Sequence, residues 1–507
     1  MPGGYEMRIL SILIISLLLI PPLFADDTGS DLAADSPSTG SGDSLTEAKS
    51  DRDEAASRNR EVILYGTDVE ILSLTEILKE SGDTSLDTDL ARLLAATGNA
   101  KLQEAVYDYF LSRFDSNKSA TPISDDVRGL IDSFSLEVLS YWDQYRESII
   151  ERASRYLGQR QERKAIDPLL SLLEDGSLAM RPVLVRVLGQ IGGEGIAAPL
   201  IAWLERNNPS STLKNEIYRA LGSTQDREHA SPFILASLED EYASPTEKMA
   251  LLDAAGTLED PSLLPAMLVL LSDADANVRA SVVASLGAYV GEDVDRALLD
   301  AFRDNFYKTR IAAAKAVSTR KLEEAIPYLI FRAQRDSVMS VQLAAIDALS
   351  NYDTSEIREA LSKILTHDLK GDAVRAASAR ALLAIDHDSF IPAVIEVMET
   401  AVQGKKQKPL YHELARFISI KEFEGALDLA SRLIVSPVIT DRHYALNLIR
   451  SNRLGALYPK VKELDTGKTD SLARKARLVR EALEEQNLVA PEDMEDDEEN
   501  PSETPLE

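Results

Sequence analysis

The chain has 507 residues, a formal charge of −29, 44% apolar and 6% aromatic residues, and no cysteine. The length exceeds a single core and calls for several domains or a repeat array, built from Leu, Ile, Val and Ala rather than from rings. The missing cysteine excludes disulfides, thiolate metal sites and cysteine nucleophiles, and the acidity makes the chain a poor general binder of DNA, RNA or anionic lipid.

Residues Ile9–Ile20 read ILSILIISLLLI, a run of 12 residues after Arg8 and before Pro21-Pro22-Leu23-Phe24-Ala25. Such a run is short for a bilayer span and fits the apolar stretch of a signal peptide. The expected segment is 1–25, with Ala25 before the cleavage point, Leu23 larger than the preferred small residue there, and Met7 as an alternative start. Without a cysteine the segment cannot carry a lipoprotein anchor. Left uncleaved, it would hold the chain at the membrane.

Residues 26–60 are rich in Asp, Ser and Gly, carry a net charge of −5, and read as a disordered tether. A helical N-terminal cap region is expected over 61–160, opening at Thr67-x-x-Glu70, the pattern of a capping box. Nine of the 29 aromatic residues fall between Tyr107 and Tyr156, and an aromatic core sealing one end of an array accounts for them.

From 161 to 489 one motif recurs: an apolar residue, a basic residue, then small apolar residues ending in Leu-Gly or a variant. Its second position falls at Arg181, Lys214, Lys248, Arg279, Arg310, Gln342, Arg375, Tyr411 and Arg442, at steps of 33, 34, 31, 31, 32, 33, 36 and 31 residues. Chance does not hold a period that steady. A proline column at 168, 199, 232, 265, 327, 392 and 459 marks the start of another helix in each unit, since proline costs little in a first helical turn. Each unit is therefore a proline-opened first helix, a polar turn, and a second helix opening near the basic residue. Val278, Ser281, Val282, Ser285 and Leu286 set the apolar stripe of one second helix, and the Gly after Leu is expected to end it.

The Ala-x-Pro-Leu starts and Val-Arg…Ala-Leu-Gly second helices, over roughly Ala165–Leu483, resemble the HEAT-like α-solenoids, in the short variant of the phycobilisome lyases. The resemblance implies an all-α fold: a right-handed α-solenoid of about ten two-helix repeats with an irregular helical N-terminal cap. Ala473-Arg474-Lys475-Ala476-Arg477 reads as the polar capping unit, and residues 490–507 as a disordered acidic tail with nine carboxylates and no Lys or Arg.

The chemistry-bearing residues form no constellation. The five His (His229, His367, His387, His412, His443) do not pair at metal-ligand spacing. Asp386-His387-Asp388 is weak as a metal site because adjacent residues cannot easily face one ion. Gly189-x-x-Gly192-Gly193-x-Gly195 imitates a phosphate loop but lacks its strand and its Lys, and reads as a turn between units. Ser318-x-x-Lys321 lacks companion motifs and reads as a helix end. Lys405-Lys406-Gln407-Lys408 reads as an exposed insertion. No cofactor and no metal site are expected.

Charge placement carries more. Asp175, Asp240, Asp273, Asp304, Asp372 and Asp441 precede the second helices, so an internal ladder from the first basic column to these carboxylates is expected. Five residues further along lies a second column: Arg186, Arg219, Asp253, Ala284, Lys315, Asp347, Arg380, Arg416 and Asn447. In the resembled fold this position lines the concave face. Arg186, Arg219, Lys315, Arg380 and Arg416 are the candidate partner-binding residues. The expected function is an exported, non-enzymatic scaffold of the bacterial periplasm or cell envelope. It would hold a protein partner, with no nucleic acid and no small-molecule substrate. The alternatives are a bilin-lyase-like enzyme and a membrane-anchored envelope structural protein.

Overall fold

The fourth residue of almost every second helix is the basic or polar residue of the first column, and that placement follows from what a helix start needs. The first turn leaves its N–H groups unpaired, so a turn with Asp, Ser or Thr caps it and the column residue then reaches back over the turn. The computed structural model describes residues 56–114, 122–403, 408–467, 469–486 and 488–489. The expected signal segment, most of the expected tether, Lys405–Gln407 of the expected insertion and the tail 490–507 lie outside the described residues. The helical part begins sooner than expected, since residues 56–60 of the supposed tether already belong to a helix over 56–65.

Two compact units divide the chain at Leu263 and Leu264. The first contains α1 (56–65), α2 (Asp68–Ser81), α3 (Asp87–Ala96), α4 (Ala100–Leu111), α5 (Asp125–Ser140), α6 (Glu147–Gln159), α7 (Ile166–Asp175), α8 (Arg181–Ile191), α9 (Ala197–Asn207), α10 (Ser211–Ser223), α11 (Arg227–Leu238) and α12 (Pro245–Leu258). The second contains α13 (Leu264–Val269), α14 (Ala276–Leu286), α15 (Glu292–Ala301), α16 (Tyr307–Arg320), α17 (Ile326–Arg335), α18 (Met339–Leu349), α19 (Ser355–Thr366), α20 (Asp372–Ile385), α21 (His387–Gln403), α22 (Lys408–Ile418), α23 (Ala426–Ile434), α24 (Ile439–Ser451), α25 (Tyr458–Leu464) and α26 (Ser471–Glu485). No strand occurs among the described residues. No helix among them is long and apolar enough to cross a membrane.

Paired in order, α7 to α26 form ten two-helix repeats. Second helices pack on second helices: α8 on α10 and α10 on α12 in the first unit, and α14 through α26 in alternate steps in the second. First helices form the other layer, as α7, α9 and α11 do. The protein is thus an all-α solenoid, and the same alternation runs back into residues 61–160, where α2, α4 and α6 continue one layer and α3 and α5 the other. The sequence columns fade there because rings replace the aliphatic core. Tyr107, Tyr109, Phe110 and Tyr156 are fully buried, Tyr107 stacks on Phe134 at 6.4 Å, and the Tyr107 hydroxyl shares a 2.9 Å hydrogen bond with Ser135. Tyr141 stays outside this core, 48% exposed. The capping box forms as expected: Glu70 Oε2 accepts the Thr67 amide at 2.8 Å, and Thr67 Oγ1 accepts the Glu70 amide.

Two expectations about helix ends are corrected. Pro232 and Pro392 lie inside α11 and α21 rather than in a first turn, because each helix starts about a turn earlier. Gly287 ends α14 after Leu286 as expected, but three other second helices run past Gly189, Gly222 and Gly256. Inside a helix the Gly serves approach: a Cβ on Gly189 would lie 3.1 Å from Ala220 Cα, and one on Gly222 would lie 2.6 Å from both Cα and O of Ala254. In each case the Gly meets the Ala of the next second helix, so small residues set the layer spacing. The glycine-rich stretch is a turn between α8 and α9, with Gly192, Gly193 and Gly195 at φ of 65°, 85° and 89°, a region open to Gly at little cost.

Candidate protein-binding surface

At Arg279 and Arg310 the first basic column forms a ladder from one repeat to the next, while Arg375 stays with its own turn, 2.8 Å from the Leu365 carbonyl and 3.7 Å from Asp368. Arg279 Nη1 donates to the backbone carbonyl of its own turn's Asp273 at 3.0 Å, while its Nε and Nη2 donate to the Asp304 carboxylate of the next unit at 2.8 and 3.1 Å. Arg310 repeats this, with Nη1 on the Asp304 carbonyl at 2.9 Å and Nε and Nη2 on the Asp336 carboxylate, each at 2.8 Å. Each carboxylate also caps its own turn: Asp304 Oδ1 accepts the Phe306 amide at 2.7 Å and Asp336 Oδ1 accepts the Val338 amide at 2.9 Å. Further on, the Tyr411 hydroxyl donates to Asp441 at 2.7 Å. The expected ladder is therefore present at Asp304 and is made to the next repeat's carboxylate. The fixed distance between an arginine head and its own turn lets it reach the main-chain oxygen, and the fork then points to the neighbouring unit. Asp336, which the expectation did not include, is the most buried member. Burial raises the pKa of both Asp304 and Asp336, and the hydrogen bonds from arginine and backbone outweigh it, leaving both below the usual carboxylate range.

The second column is exposed on the second helices, except for Asn447, which is half-buried. In the first unit it is self-neutralised. Arg186 lies 4.0 Å from Glu216, Glu216 lies 3.6 Å from Arg219, and Arg219 Nε donates to Asp253 at 3.3 Å. Arg186 and Arg219 thus belong to an exposed ion chain across α8, α10 and α12.

In the second unit the arrangement differs. Arg380 on α20 and Arg416 on α22 both lie over the ring of Phe417, at 4.9 and 5.3 Å from its centroid. Arg416 also pairs with Glu413 at 2.8 Å. Beside Arg380 is a groove of about 460 Å³ between α18 and α20, lined by Leu343, Asp347, Ala377, Arg380, Ala381 and Ala384. Lys315 on α16 is exposed and forms no ion pair among the described residues. The structure therefore brings Arg380 and Arg416 together, separates Lys315 from them by α18, and places Arg186 and Arg219 in the other unit. Phe417 and the alanine floor were missed by sequence reading. Their signal was available: Phe417 puts a ring next to the column, and Ala377, Ala381 and Ala384 share one helical side of α20.

The other motifs keep structural roles. Ser318 Oγ accepts the Asn351 amide at 2.8 Å, and Lys321 caps α16 in the left-handed region. His387 pairs with Asp388 at 2.9 Å, while Asp386 pairs with Arg358 at 3.1 Å. Among the described residues no group of three or more His, Asp or Glu could hold a metal ion.

Comparison with known proteins gives one family. A family model described as spirochaete HEAT repeat protein matches residues 63–479. No curated protein matches the chain. Among solved structures, the CpcE–CpcF complex of phycocyanin lyase from Nostoc sp. is 18% identical, with 53% of this chain and 96% of that one covered and a TM-score of 0.31. The karyopherin Kap121p bound to the C-terminus of the phosphatase Cdc14p is 10% identical, with 84% and 53% covered and a TM-score of 0.40. Human deoxyhypusine hydroxylase is 18% identical, with 52% and 97% covered and a TM-score of 0.24. The chain spans about half the length of the karyopherin.

Proposed function

Because the chain belongs to the spirochaete HEAT repeat proteins, we propose that it is a non-enzymatic scaffold that holds a protein partner on the exposed side of its second helices. The observation that carries this reading is the groove between α18 and α20, where an apolar alanine floor meets Arg380 stacked on Phe417. Small residues on the floor let a partner segment approach the backbone. The stacked arginine offers a preorganised planar donor, and arginine is among the residue types that dominate interface energetics. Asp347 beside Arg380 gives the rim both signs, which suits a partner of mixed charge. The segments 1–25 and Ile9–Ile20 extend the proposal to an exported protein of the periplasm or cell envelope.

The test uses a photocrosslinking residue at Ser350, beside the groove, and another at Glu359 on the first-helix layer. The expected result is one protein captured from intact cells at Ser350 and not at Glu359, with capture lost in Arg380→Glu and in Phe417→Ala at an unchanged melting temperature. Arg219→Glu should leave capture intact, because that side chain belongs to the ion chain of the other unit. Equal capture at both positions, or unfolding of the Arg380→Glu variant, overturns the reading. For export, N-terminal sequencing of protein from cells should begin at or near Asp26; a start at Met1 or Met7 in the cytoplasmic fraction overturns that part.

A further inference from the structure

A second site lies in the first unit, on the edge formed by the turns inside successive repeats. The turn between α9 and α10 and the turn between α11 and α12 leave a pocket of about 380 Å³, within the size range of small-ligand and side-chain sites. Its floor is aromatic: Tyr218 is buried, and the Phe233 ring lies 6.0 Å from it. At the rim, Tyr242 is 93% exposed. Glu205, Asp240 and Glu247 also line the pocket, against a single cation, Lys214.

The state of Lys214 shows what the pocket accepts. Its ammonium lies 5.8 Å from the centroid of the Tyr218 ring and 2.6 Å from Glu247 Oε1. The protein thus already seats one alkylammonium against this ring with a carboxylate behind it. Lys214 and Glu247 satisfy each other, and Glu247 is further held as the capping partner of Ser244, whose amide it accepts at 3.0 Å. Glu205 and Asp240 remain. Asp240 Oδ1 accepts the Tyr242 amide at 2.9 Å, which fixes the turn, and neither carboxylate forms an ion pair among the described residues.

We propose that this pocket receives a lysine or arginine side chain of a basic segment on a protein partner, held by Glu205 and Asp240 and covered by the Tyr242 ring. The negative face of an aromatic ring attracts a cation, most strongly where water is partly excluded, and two carboxylates without counterions supply the opposite charge. A peptide rather than a free amine follows from Tyr242. An exposed ring of that size beside the pocket provides apolar area for the backbone and neighbouring residue of a segment, area that a small amine leaves uncovered. The site does not depend on the reading of the second-helix groove, which lies in the other unit.

The experiment is calorimetric titration of the full chain at low salt with the peptide acetyl-Gly-Arg-Leu-Lys-Gly-amide, with its counterpart bearing Gln for Arg and Lys, and with spermidine. The expected result is saturable binding of the basic peptide and none of the Gln peptide. Glu205→Gln with Asp240→Asn should weaken the basic peptide by roughly tenfold or more, and Tyr242→Ala should weaken it several-fold, with melting temperatures unchanged because all three side chains are exposed. A charge-matched control, Glu292→Gln with Glu356→Gln, should bind as the wild type. If the control loses as much as the pocket variant, the attraction belongs to the acidic chain as a whole and the site is overturned. If spermidine binds as tightly as the peptide and Tyr242→Ala has no effect, the pocket is an amine site and the peptide assignment is overturned.

Discussion

Asp336→Ala should destabilise the second unit by about 3–5 kcal/mol, the cost of leaving a buried charge without its partner. The side chains of Asp336 and Arg310 are 1% and 8% exposed, and the pair is bidentate. Removing the carboxylate strands the guanidinium, frees the Val338 amide and takes a partner from Arg332 at 3.2 Å. Urea unfolding of the variant checks this, and a loss under about 1 kcal/mol would sink the ladder as a stabilising element. Replacing both partners with apolar residues, Arg310→Met with Asp336→Leu, should cost much less than either single change, because no charge is then left buried.

The same pair sets an acid limit. The folded-state pKa values of Asp304 and Asp336 lie below the unfolded carboxylate value of about 3.9. Their contribution is therefore complete above about pH 4 and is lost as pH falls from there through the folded values. The stability gap between wild type and Asp336→Asn should be constant from about pH 5 to 8 and should shrink below about pH 4. A gap that closes near neutral pH would show that another group titrates.

Gly222→Val should cost about 1–3 kcal/mol or more through overpacking. Any Cβ there meets the main chain of Ala254 at 2.6 Å, and backbone cannot step aside as a flexible side chain can. Ala at the same place should also destabilise, against its higher helix propensity. The contrast is Gly129 in α5, where a Cβ meets nothing within 4 Å. Gly129→Ala should stabilise by up to about 1 kcal/mol from propensity alone. Thermal melts of both variants decide the matter: if Gly222→Ala gains stability as Gly129→Ala does, the Gly–Ala approach does not set the layer spacing.

Several elements are legible in the sequence. The steps of 31 to 36 residues between Arg181 and Arg442 place nine second helices, and the structure has a helix at each. Thr67 and Glu70 announce the start of α2 because a capping box is local, written within four residues. The aromatic cluster reads as core because rings spaced along helices have few other ways to leave water. Leu-Gly ends α14 at Gly287 but lies inside α8, α10 and α12, and locality is again the reason that the sequence does not separate the two cases. A Gly beside Leu looks the same whether it terminates its own helix or makes room for another one.

The repeat, the two helices per unit, the capped turns and the exposed position of the second column were determined by the sequence itself, since each depends on residues within one turn or one unit. The tertiary structure alone decided which partners the charges take. The repeats of Arg279 and Arg310 each carry an arginine and an aspartate, Asp273 and Asp304, so pairing within a repeat and pairing to the next are the same string of letters there. Only the distance between neighbouring turns, set by how the second helices pack, selects Asp304 for Arg279 and Asp336 for Arg310. It likewise joins Arg186 and Arg219 to carboxylates in one unit and sets Arg380 and Arg416 around Phe417 in the other. A period reports what recurs along the chain, whereas a contact between repeats depends on the spacing and rotation of packed helices, which side-chain volume fixes only once the layers have closed.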